Sequence, residues 1–69
     1  MLLFRIFNTR TPIGHVSSVL VLADDEKEAI HEVYDKLSNT FIMDRNTQIE
    51  LYVDRHPDGK PAIIAVTVE

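Results

Sequence analysis

The stretch "DDEKEAIHEVYDKLSN", Asp24 to Asn39, carries a helical period and divides the rest of the chain into two pairs of strand-like runs. Asp25 stands as N-cap with Glu28 three residues on, a capping-box spacing, and the acids at this end oppose the positive pole of the helix. Ala29, Ile30, Val33, Tyr34 and Leu37 recur at helical spacing, while Glu28, His31, Glu32, Asp35 and Lys36 take the other side. Ser38 and Asn39 end the pattern, asparagine being a residue that tolerates the left-handed conformation of a helix C-terminus.

On the N-terminal side, "LLFRIFN", Leu2 to Asn8, alternates Leu2, Phe4 and Ile6 against Leu3, Arg5 and Phe7, which reads as a strand. Thr9 to His15 holds a proline and a glycine and reads as a loop. "VSSVLVLA", Val16 to Ala23, is branched and apolar and returns as a second strand of a hairpin. On the C-terminal side, "TFIM", Thr40 to Met43, is either a short strand or a loop whose Phe41 and Ile42 plug the core. From Thr47 onward Ile49, Leu51 and Val53 alternate with Gln48, Glu50, Tyr52 and Asp54, a half-buried strand. "AIIAVTV", Ala62 to Val68, lacks any charge, which suits a strand with neighbours on both sides or a covered face. Between these two strands, "HPDGK", His56 to Lys60, has the proline, aspartate and glycine order of a tight turn and predicts a second hairpin.

The order β-β-α-β-β predicts a small α+β fold: one amphipathic helix on one face of a four-stranded, mainly antiparallel sheet, with residues 1–69 as a single domain. A chain of 69 residues builds only a modest core, and disulfides, metals or oligomerisation are the usual reinforcements. There is no cysteine, so disulfides and thiolate metal sites are excluded. A homo-oligomer, a homodimer first, becomes the leading reinforcement. The helix covers one sheet face, so the other is expected to hold Leu3, Phe7, Leu20 or Val21, Tyr52 and Ile63, an apolar patch of the kind that marks an interface.

Several function classes are disfavoured by the sequence. The longest apolar run, Val19 to Ala23, falls far short of the ~20 residues that cross a bilayer, and Arg5 interrupts what would be the apolar core of a signal peptide. No membrane association is expected, and the cytoplasm is the expected compartment. His15, His31 and His56 fall on a loop, the outer helix face and the second turn, so no catalytic assembly, metal site or cofactor is expected; a hydrolase using His56 with Asp54 or Asp58 is a remote alternative. A net charge of −4 opposes nucleic-acid phosphates unless the cations cluster. Arg10 and Arg45 are expected at one end of the sheet, and Arg55 and Lys60 at the other, which makes nucleic-acid binding the second hypothesis rather than the first.

The first hypothesis is a non-enzymatic protein-binding module, an adaptor, regulator or inhibitor. Its apolar contacts come from Leu3, Phe7 and Tyr52, and its partner choice from an acidic stripe of Asp25, Glu28, Glu32 and Asp35. An acidic inhibitor of a nucleic-acid-binding protein is the most specific form of that reading.

Overall fold

A computed structural model describes residues 1–55 and 59–69. Strands β1 (Leu2–Asn8), β2 (Val16–Ala23), β3 (Thr47–Val53) and β4 (Ala62–Val68) surround helix α1 (Glu26–Leu37) in chain order β1-β2-α1-β3-β4. All three strand pairs are antiparallel, in the spatial order β3-β1-β2-β4. This is the α+β fold that the sequence predicts.

β1 and β2 take the centre because their alternation is apolar enough to be buried. Phe4 and Ile6 of β1 and Val19, Val21 and Ala23 of β2 form one layer, Ala29 and Val33 of α1 the other, and Phe41 closes the end. Six of these eight side chains are wholly inaccessible to solvent. The helix starts where its sequence dictates: the Asp25 carboxylate accepts the Glu28 N–H at 2.8 Å, and the Glu28 carboxylate accepts the Asp24 N–H at 3.0 Å, one residue before the cap. α1 lies mainly over β2, with lesser contact to β1 and β4. It carries the chain back along the sheet so that β3 can enter on the far side of β1.

The second hairpin does not form. β3 pairs with β1 and β4 with β2, so the strands flanking "HPDGK" are at opposite edges of the sheet. From Val53, opposite Leu3, to Ala62, opposite Leu22, the chain spans three interstrand spacings, about 14 Å at roughly 4.8 Å each. Nine steps of extended chain reach roughly 30 Å, ample for that distance. Turn-forming residues say that a chain bends, not which strands it joins. The turn expected at His56, Pro57 and Asp58 itself lies outside the described residues.

Other expectations also change. β4 has a neighbour on one side only, although its charge-free sequence reads like an interior strand. Thr40–Met43 is a loop; Phe41 plugs the core at 1% exposure while Ile42 stays outside at 37%. Asn39 is not left-handed, since no non-glycine residue among those described has positive φ. The helix instead tightens at its end, with the Thr40 and Phe41 N–H groups both donating to the Leu37 carbonyl. Ile30 and Tyr34, expected in the core, are exposed because α1 sits off-centre over β2.

At the end of the sheet that holds the 9–15 and 38–46 loops, Asn8 is a buried polar residue in an otherwise apolar layer. Its amide donates to the Ile42 carbonyl at 2.9 Å and the Asp44 carboxylate at 3.1 Å, and its side-chain oxygen accepts the Arg10 N–H at 2.7 Å. Asp44 in turn accepts the Asn46 N–H, and Thr47 accepts the Asp44 N–H. One asparagine thus ties both loops to β1 and satisfies groups that burial would otherwise leave unpaired. In the first loop the His15 N–H donates to the Pro12 carbonyl, with Gly14 at φ +89° in the third position, the signature of a type II turn.

Candidate binding surfaces

The sheet face opposite α1 has no helix over it. Strict alternation assigns Leu3, Arg5 and Phe7 of β1 to it, and the register adds Ser18, Leu20 and Leu22 of β2, Gln48, Glu50 and Val53 of β3, and Ala62, Ala65 and Thr67 of β4. The Arg5 guanidinium lies 4.1 Å from the centre of the Phe7 ring and 3.1 Å from the Glu50 carboxylate. A cation–π contact within β1 and an ion pair to β3 therefore hold the Arg5 guanidinium on this face.

Four expected members of the face depart from that reading, the first being Leu3, which is buried at 8% exposure and offers little surface to a partner. Val21 is fully buried under α1, so Leu20 is the outward residue of β2. Ile63 packs against the core on the helix side, because the β2–β4 ladder slips between Leu20 and Val21 and reverses the alternation of β4. Tyr52 is the extra residue of a second irregularity, where Leu51 pairs with Phe4 and Val53 with Leu3; it is 58% exposed.

The acidic stripe is largely engaged within the helix. Asp25 caps it, Glu28 receives the Asp24 N–H, and Glu32 pairs with Lys36 at 3.1 Å with its side chain only 14% exposed. Asp35 and Glu26 remain exposed. The cations divide as expected. Arg10 and Arg45 are on the two loops joined by the Thr9–Asn46 backbone bond, whereas Arg55 and Lys60 flank the β3–β4 connection at the other end.

His15 is half-buried on the first loop and His31 exposed on α1. His56 and Asp58 lie outside the described residues, so the arrangement of His56 with Asp54 or Asp58 is undescribed. Among the described residues no group of three or more histidine, aspartate or glutamate side chains is placed to hold a metal. No helix among them is long and apolar enough to cross a membrane.

Two features escaped sequence reasoning. A groove of about 320 Å³ runs between α1 and β3, lined by Ile6, Ile30, Met43 and Ile49 with Asp44, Thr47 and Gln48 at its rim. It exists because α1 is displaced toward β2, which periodicity does not encode. The second is the free edge of β4, where Ile64, Val66 and Val68 are each about half exposed; the signal was the absence of charge, read as a sign of interior position. No protein-family model, curated protein or solved structure matches the chain.

Proposed function

We propose that this chain is a small non-enzymatic protein-binding module, working as an adaptor, regulator or inhibitor through surface contact. The observation that carries the reading is the sheet face opposite α1, on which the half-buried Phe7, Leu20 and Leu22 lie around the buried Leu3 with no helix over them among the described residues. Contiguous apolar surface on a small domain is what partner contact removes from water. The charge balance of −4 favours a partner with a basic surface, and Asp35 and Glu26 are the helix acids left for it. An inhibitor that occupies the basic surface of a nucleic-acid-binding protein in the cytoplasm fits these features. Nucleic acid itself fits less well, since the Arg10–Arg45 and Arg55–Lys60 pairs lie at opposite ends of the sheet and do not form one patch.

Crosslinking capture from the native cell tests the reading. Leu20→Glu, on the open face, is expected to abolish capture while leaving the fold intact, and Asp35→Asn to weaken it at low salt. Capture unaffected by Leu20→Glu would remove the open face from the proposal. A salt-sensitive shift of labelled DNA or RNA that disappears on replacing Arg10 and Arg45, or Arg55 and Lys60, by alanine would replace the reading with nucleic-acid binding.

A further inference from the structure

Among the described residues, no strand pairs with the outer edge of β4. Natural sheets blunt an edge with charge, proline or a covering loop, because its unpaired N–H and C=O groups accept a further strand. β4 has seven residues without charge or proline inside it, and Ile64, Val66 and Val68 are exposed along it. Its backbone orientation follows from its inner bonds. The Glu69 N–H donates to the His15 carbonyl, the Glu69 carbonyl accepts the Gly14 N–H, and the Thr67 carbonyl accepts the Ser17 hydroxyl. Residues 67 and 69 therefore turn their polar groups toward β2. By the alternation of an antiparallel ladder, Val66 and Val68 turn theirs toward the free edge.

We propose that the free edge of β4 binds the β4 of a second copy of this chain, antiparallel about a two-fold axis, to make one continuous eight-stranded sheet. Charge decides the occupant and the direction. The nearest charges flanking β4 are Lys60 before it and Glu69 after it. Antiparallel pairing centred near Ala65 brings Lys60 of each copy alongside Glu69 of the other at both ends, whereas a parallel arrangement sets like against like. The opposite edge does the reverse: the same operation on β3 sets Glu50 against Glu50, and like charges facing each other across strands destabilise the pair. With β3 so protected and β4 consumed, the assembly closes as a dimer and does not grow into a fibre.

The two helices then lie on the same side, and the two open faces join into one apolar surface of doubled area. This arrangement builds on the reading of the open face as a binding surface, and has its own test. Sedimentation at micromolar concentration is expected to give a dimer, and hydrogen exchange to show the Val66 and Val68 amides protected in the dimer and unprotected on dilution. Val66→Lys is expected to give a folded monomer with an unchanged circular dichroism spectrum. Lys60→Glu and Glu69→Lys are each expected to weaken dimerisation roughly five-fold, two exposed ion pairs being lost at once, and together to restore it.

A monomer at every concentration overturns the pairing and leaves the open-face reading to its capture experiment. A dimer that survives Val66→Lys but is lost in Leu20→Glu overturns it in favour of sheet-to-sheet packing. Rapid exchange of the Val66 and Val68 amides in a sedimenting dimer overturns it as well.

Discussion

Replacing Asn8 by leucine tests whether one buried amide holds the loop end of the domain together. The side chain makes three hydrogen bonds, at 2.9 Å to the Ile42 carbonyl, 3.1 Å to the Asp44 carboxylate and 2.7 Å from the Arg10 N–H. Leucine has nearly the same shape, so the packing changes little and the loss is polar. The partners are not orphaned equally. Ile42 keeps the Thr47 hydroxyl, Asp44 keeps the Asn46 N–H, and the Arg10 N–H, beside an exposed residue, can turn to water. Two neutral bonds at about 0.5–1.5 kcal/mol each and one to a charged group at about 1.5–3 kcal/mol set the range, and the retained partners lower it. We expect a loss of about 3 kcal/mol, which lowers Tm by roughly 12–24 °C in a domain of this size. Asn8→Asp should lose more, because it sets a second carboxylate against Asp44, and Asp44→Asn added to it should recover part of the loss as positive coupling in a double-mutant cycle. Thermal and urea melts followed by circular dichroism measure all five proteins, the parent, Asn8→Leu, Asn8→Asp, Asp44→Asn and the double variant. An Asn8→Leu variant melting within about 3 °C of the parent would refute the reasoning, as would strictly additive losses in the cycle.

The first loop and the helix start give two further expectations. A Cβ at Gly14 meets nothing within 4 Å, so Gly14→Val should cost only the left-handed backbone penalty, about 1–2 kcal/mol, and Gly14→Asn clearly less; equal melting of both would contradict the type II turn. Asp25→Ala removes the acceptor for the Glu28 N–H and should cost about 1 kcal/mol, read as lower helix content at intermediate urea, while Asp35→Ala on the same helix should change stability little.

Local chemistry determined the elements of this protein. The spacing of Ala29, Val33 and Leu37, the Asp25 cap and the alternation of Leu2 to Asn8 are written within a few residues of one another, and each boundary they imply agrees with the structure to within a residue. The open face was legible as a consequence, because one helix of 12 residues cannot cover both sides of four strands.

Strand order was decided only in three dimensions. "HPDGK" has turn chemistry whether its flanking strands pair or cross the sheet, and the crossing follows from which strands can bear burial. β1 and β2, apolar on both faces but for Arg5, Asn8 and two serines, take the centre; β3, with Gln48 and Glu50, goes to an edge, and β4 is left with the other. The slip beside Val21 then turned Ile63 inward, since one extra residue in a strand exchanges its faces. Asn8 gave no sequence signal at all: its partners Ile42 and Asp44 are more than thirty residues away, and only the docking of the second loop beside β1 makes it a buried hub. Periodicity records how a segment divides its own side chains between two faces; which neighbour each face and edge receives depends on contacts that no single segment contains.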